Sequence, residues 1–244
     1  MSGHSKWNNI KHKKEKTDAQ KAKVFTKIGK EIAVCVKAGG PDPVSNSKLK
    51  DLIAKAKSLN VPNDNIDRII KKASGADAVA SEEIYYEGYG PSGVAVIVKA
   101  TTDSRNRTAG NLRHYFDKFG GNMGQSGCVS YLFSDAGVIT IVKDEDVEID
   151  PDALMETALE AGAADFIEEE EYFEIRTETD DLYVVNEALE AAGFTVDSCE
   201  KTKIPSTYVT LETEGDIKYM NLLLDHLDED EDISDVYHNW ENCD

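Results

Sequence analysis

Apolar residues recur at three- and four-residue steps in the first third of the chain, which predicts helices. Phe25, Ile28, Ile32 and Val36 set one stripe over about Asp18 to Ala38. Gly39 and Gly40 end it, because glycine tolerates the left-handed cap, and Pro41 and Pro43 mark a loop. A second helix starts after Ser45 or Asn46 as N-cap, puts Leu49, Leu52, Ile53, Ala56 and Leu59 on one face, and stops before Pro62. A third starts with Asn63 as N-cap, turns Ile66, Ile69 and Ile70 inward and stops at Gly75. Residues 1–16 show no period and read as an arm.

Beyond a linker at 76–82 the pattern changes to strands alternating with helices. Val94–Lys99 is a buried strand, and a helix runs from about Arg105 to Phe119 with Ala109, Leu112, Phe116 and Phe119 toward the sheet. Cys128–Phe133 and Val138–Val142 are further strands. A near-repeat follows, ALEAG at 158–162 and ALEAAG at 188–193. Each copy ends a helix that leads into a strand, first Ala164–Ile167 or Tyr172–Thr177, then Phe194–Cys199, which suggests a split β-α-β fold of ferredoxin-like type. Strand Thr207–Leu211, a helix carrying Ile217, Met220, Leu224 and Leu227, and a strand over about Asp235–Trp240 complete the chain. The fold class is therefore α+β. A basic all-helical domain at 1–75 precedes two α/β, ferredoxin-like domains. One spans 80–133 with 206–244, and the other, 134–205, is inserted within it.

Charge sharpens this division. Residues 1–75 hold 17 Lys and Arg against 7 Asp and Glu, a balance of +10, and the remainder carries −30 of the total −20. A basic module attracts polyphosphate and an acidic remainder repels it, so one side alone is expected to dock on nucleic acid. The acidic domains themselves suit a basic protein partner. Along the first helix Lys16, Lys23, Lys27, Lys30 and Lys37 share a sector of roughly 80°, opposite the apolar stripe. With Lys6, Lys11, His12, Lys13 and Lys14 of the arm they form a candidate phosphate-contacting ladder facing solvent, and Trp7 is placed to stack on an unpaired base. A second patch, Arg105, Arg107, Arg113, His114 and Lys118, holds four of the ten Lys and Arg beyond residue 75. Arg107 and His114, seven apart, share a helix face, and guanidinium forks suit phosphate. The bland alternatives are a solvated lysine face for the first and capping or ion pairing for the second.

Nothing points to catalysis. Cys35, Cys128, Cys199 and Cys243 are scattered with no CxxC pair, the five histidines lack ligand spacing, and no metal or organic cofactor is expected. The glycine-rich GGNMGQSG at 120–127 lacks the ending of a P-loop and reads as a turn. The acidic runs at 168–171 and 228–232 lack calcium-loop spacing and read as solvated faces. No apolar run is long enough to span a membrane, and the lysine-rich start has no apolar core of a secretory signal, so a cytoplasmic protein is expected.

Several segments together are recognisable: GHSKW at 3–7, FTKI at 25–28, EGYGP at 87–91, RNRT at 105–108, RH at 113–114 and GGN at 120–122. In combination they resemble the YebC family, whose relatives include the mitochondrial translational activator of cytochrome c oxidase. The resemblance covers nearly the whole chain. It implies a helical domain followed by two α/β domains, the third inserted in the second. It also implies a regulator of gene expression, described either as a DNA-binding transcriptional regulator or as a translation factor at the ribosome that eases elongation through proline-rich stretches. Carried over, GHSKW and the following lysines are the arm that faces rRNA or DNA, and Arg105, Arg107 and His114 a second patch. The chain departs from the pattern in GGPDP at 39–43 and GPSG at 90–93, which reshapes turns and leaves the basic residues untouched.

Overall fold

The computed structural model describes residues 18–75, 81–143 and 149–242, and of residues 18–21 the backbone alone. These fall into two compact units, one of residues 18–132 with 207–242 and one of residues 133–206.

The first unit opens with helices α1 (Asp18–Gly39), α2 (Ser47–Ser58) and α3 (Asn63–Ala73). Their apolar stripes meet in one core of Ile28, Ile32, Val36, Leu49, Leu52, Ala56, Val61 and Ile66. Asn46 joins the first two helices. Its side-chain oxygen accepts from the Leu49 amide and from Cys35 Sγ, and its Nδ2 donates to the carbonyls of Cys35 (3.1 Å) and Gly40 (2.9 Å). The residue that caps α2 is thus also the clasp on the end of α1. The cap of α3 is Pro62, with no side-chain bond, rather than Asn63.

The same unit continues with β1 (Glu82–Tyr89), β2 (Ala95–Thr102), α4 (Arg105–Lys118) and β3 (Asn122–Met123), and resumes after the second unit with α7 (Glu214–Glu229) and β8 (Ile233–His238). The sheet is antiparallel in the order β3-β1-β2-β8. Val94, Val96 and Val98 pack with Leu112, Phe116, Met220, Leu223, Leu227 and Trp240, so α4 and α7 cover one face. The other face is met by α1, which contacts β1, β2 and β8. That is why β2 is buried at every position, as its run of apolar residues implied.

The second unit runs β4 (Phe133–Val142), α5 (Pro151–Glu160), β5 (Asp165–Glu168), β6 (Tyr172–Thr177), α6 (Leu182–Ala191) and β7 (Ser198–Pro205). Its antiparallel order, β5-β6-β4-β7, is the full β-α-β-β-α-β ferredoxin-like path. The sheet of the first unit differs in opening with a hairpin, so its strand order is not the same. The sequence near-repeat has a backbone meaning. Gly162 and Gly193 follow the ends of α5 and α6 at φ of +109° and +95°, where a Cβ is strained.

Three expected strands come out differently. Of the expected strand Cys128–Phe133, residues Cys128–Leu132 are a turn and a single 3₁₀ turn, because the amides of Gly127, Val129 and Ser130 donate to the Glu87 carboxylate instead of to a ladder, and only Phe133 is strand, the start of β4. Phe194–Asp197 form a loop, and the strand begins only at Ser198. Thr207–Leu211 makes a single bridge, Val209 to Trp240, because the Leu211 amide is taken by the Asn242 side chain.

Candidate nucleic-acid interface

Of the residues expected to touch nucleic acid, Lys6, Trp7, Lys11, His12, Lys13, Lys14 and Lys16 lie outside the described residues. The rest of the ladder is corrected in part. Lys27 and Lys30 do not face solvent. Lys27 is 9% exposed, its Nζ donating to the Asp228 carbonyl with the Asp228 carboxylate 3.6 Å away. Lys30 pairs with Asp232 at 3.1 Å and donates to the Glu231 carbonyl. The sector opposite the apolar stripe of α1 thus meets the acidic 228–232 segment of its own chain. The physical reason is the charge split itself: a basic row and an acidic segment tethered in one chain are each other's nearest counter-ions. Lys23 is half-buried and Lys37 exposed.

The 228–232 segment is correspondingly no solvated face. Asp232 is 5% exposed and its carboxylate accepts from Lys30, from the Arg107 guanidinium at 2.6 Å, and from the hydroxyls of Thr102 and Thr108. Burial alone raises a carboxyl, but the bonds from Arg107 and Lys30 outweigh it and hold Asp232 below the usual range. Asp230 accepts from Asn111 and Tyr115 on α4.

The second patch divides. Arg107 is spent on Asp232 and on Asp103, four residues before it, and Arg105 makes a two-pronged pair with Glu82. The ion-pairing reading holds for both. Arg113, His114 and Lys118 are exposed on α4.

A cluster that periodicity could not show lies between α1, α2 and the sheet. Lys99 of β2 reaches Glu31 of α1 at 2.7 Å and Asp235 of β8 at 3.2 Å. Lys55 of α2 reaches the same two carboxylates at 3.6 and 2.8 Å. Glu83 of β1 lies 3.6 Å from Lys99 and 2.9 Å from Lys48. Three cations thus balance three anions. Burial disfavours the charges of Lys55, Lys99 and Asp235, yet the facing partners push the Lys55 and Lys99 ammonium groups above the usual lysine range and Asp235 well below the carboxylate range. The one signal available in sequence was Lys99 inside an otherwise apolar strand.

The helical module keeps other cations free for a ligand. On α2 Lys48 and Lys55 face the sheet, while Lys50 and Lys57, roughly opposite at 100° per residue, are exposed. On α3 Arg68, Lys71 and Lys72 are exposed, away from buried Ile66 and Ala73. The motif EGYGP is structural. Glu87 holds the 127–130 turn, and Gly88 and Gly121 allow backbone approaches, since a Cβ on either would lie 2.6 Å from Asn122 O or 2.3 Å from Tyr89 O. Among the described residues no group of three or more His, Cys, Asp and Glu could hold a metal ion, and no helix is long and apolar enough to cross a membrane.

These features define a class: an α+β protein with a basic helical module seated by ion pairs on an antiparallel sheet, and a ferredoxin-like unit inserted in the chain after that sheet's third strand. Residues 5–76 match the model of the TACO1/YebC protein N-terminal domain, and residues 81–240 that of the TACO1/YebC second and third domain. The chain belongs to the TACO1/YebC family. It is 58% identical over 241 residues, 98% of its length and 99% of the other's, to a protein of Acetivibrio thermocellus named as a probable transcriptional regulatory protein. A protein of Lachnoclostridium phytofermentans with the same name is 57% identical over 99% of this chain and the whole of that one. The solved structure of the conserved hypothetical protein Aq1575 from Aquifex aeolicus superposes with a TM-score of 0.81 at 42% identity, covering 93% of this chain and 92% of that one.

Proposed function

We propose that the chain is a non-catalytic, cytoplasmic regulator of gene expression that binds nucleic acid through its helical module. More finely, we propose a ribosome-associated translation factor that binds RNA and assists elongation through proline-rich stretches, with the acidic inserted unit available to a basic protein. The observation that carries the reading is where the positive charge is left. After internal ion pairs have consumed Lys27, Lys30, Lys48 and Lys55, the module still exposes Lys37, Lys50, Lys57, Arg68, Lys71 and Lys72. Names of relatives as probable transcriptional regulatory proteins support a role in gene expression.

The second reading, a DNA-binding transcriptional regulator, draws on those names and on the short turn between α2 and α3, as in helix-turn-helix proteins. Against it, the exposed side of α3 offers cations but no free row of base-reading amides, Asn65 being bonded to Arg68. A polysome gradient separates the two. Comigration of the tagged protein with ribosomal particles supports translation, and absence from them with recovery on chromosomal DNA refutes it.

A further inference from the structure

We propose that the module grips base-paired RNA through the outward sides of α2 and α3, with Lys50, Lys57, Arg68, Lys71 and Lys72 on phosphates, and not through Lys27 and Lys30 of α1. This rests on the functional reading above and gives it a surface. The first argument is elimination by contact. Lys27 and Lys30 are anchored on Asp228 and Asp232, so a phosphate would have to displace a tethered carboxylate to reach them. The second is direction. Lys50 and Lys57 lie two turns apart on the side of α2 opposite the sheet-bound Lys48 and Lys55, which aligns them along the helix axis about 10 Å apart. The third is charge density. Arg68, Lys71 and Lys72 fall in the last six residues of α3, with no acid after Asp67, and Asn65 accepts from the Arg68 guanidinium at 3.2 Å.

The ligand class follows from what the surface lacks. Single-stranded nucleic acid is bound on aromatic platforms, and the one aromatic residue in the described part of the module, Phe25, packs against its apolar core. Duplex DNA is read by side chains that reach base edges, and the one guanidinium fork of this surface, Arg68, already donates to Asn65 Oδ1 at 3.2 Å. Double-helical RNA is recognised by shape and phosphate contacts, for which five exposed cations spread over two helices suffice.

The test is filter binding of the full-length protein to a stem-loop RNA of arbitrary sequence over a salt series. With roughly 0.7 to 0.9 per phosphate contact, R68A/K71A/K72A is expected to make the slope of log affinity against log salt shallower by about 2. K71R/K72R is expected to keep it, and K27A/K30A to leave it unchanged. A parent slope in the triple variant, or a flattened one in K27A/K30A, overturns the surface. Tighter binding of a DNA duplex of the same sequence overturns the choice of RNA. Failure of the parent to bind either nucleic acid refutes the functional reading itself. Circular dichroism and melting check each fold. Should the triple variant be unfolded, K50Q/K57Q decides, with a slope shallower by about 1 to 2 expected and an unchanged one refuting the surface.

Discussion

Replacing Lys99 with methionine, close in length but uncharged, tests the ionic seat of the helical module. The wild-type Nζ sits 2.7 Å from Glu31 and 3.2 Å from Asp235, and Glu31 is only 5% exposed. At an effective dielectric constant of about 20, each contact is worth roughly 5–6 kcal/mol of attraction before the cost of dehydration. Lys55 remains on both carboxylates but at 3.6 Å from Glu31, so the cluster of three cations and three anions loses its balance at its most buried point. Breaking one partner of a buried pair costs about 3–5 kcal/mol, and K99M is expected in that range by urea unfolding followed by circular dichroism. Adding E31Q removes the stranded anion, so the double variant K99M/E31Q is expected to recover at least about 1 kcal/mol relative to the sum of the single changes. A K99M cost under about 1 kcal/mol, or strict additivity, would show that the cluster is no more than a set of solvated pairs.

Three further outcomes follow from the same geometry. Asn46→Ala removes the cap of α2 and strands the Cys35 and Gly40 carbonyls, so a loss of about 2–3 kcal/mol is expected in the same unfolding assay, and a loss below about 1 kcal/mol contradicts the clasp. Glu87→Gln removes an anion that accepts from three amides, so protease cleavage within 124–132 is expected to rise, with the wild-type pattern refuting the role of Glu87. Burial pushes His238 down to about 4, so the unfolded chain takes up a proton near pH 6.5 that the native fold refuses. Stability is therefore full above about pH 6.5 and declines as pH falls toward 4. Asp232 and Asp235, also depressed, add losses at lower pH, below the unfolded carboxyl value of about 3.9. Melting temperature against pH checks this, and a His238→Gln variant with the same decline between pH 6.5 and 5 sinks the histidine assignment.

The helices of the amino-terminal module were legible because each buries a stripe, and Phe25 to Val36, Leu49 to Ala56 and Ile66 to Ile70 all point to one core. Strand β1 was harder. Its sequence EEIYYEGY mixes acids with aromatics because one face meets the charged cluster, so alternation of apolar and polar residues is lost. The turn within Cys128–Leu132 reads as a strand because Cys128, Val129, Tyr131 and Leu132 are apolar or aromatic, although only Val129 is buried, while the partner that takes its amides, Glu87, lies some forty residues away in the chain. The lysine row of α1 is real as geometry, but Lys27 and Lys30 within it are turned onto the protein, while Lys37 is exposed. A helical wheel gives the direction of a side chain relative to its own apolar stripe but not what stands on the other side. Here the partner was an acidic run some two hundred residues further on, too distant for any local pattern to connect with Lys27 and Lys30.

The position of β8 in the first sheet sets a timetable for synthesis. Strand β2 ends at Thr102, but the strand that closes its far edge does not start until Ile233, about 130 residues later. At a translation rate of about 5–20 residues per second, the open edge of β2 and the uncovered half of its apolar face wait roughly 7–26 seconds for β8 and α7. The 133–206 unit is continuous in sequence and can fold while still near the ribosome, so it is complete before the sheet that precedes it in the chain. For about half of its synthesis the nascent protein thus carries a valine-rich strand paired with β1 on one edge and open on the other, and aggregation during expression should be sensitive first to changes in β2.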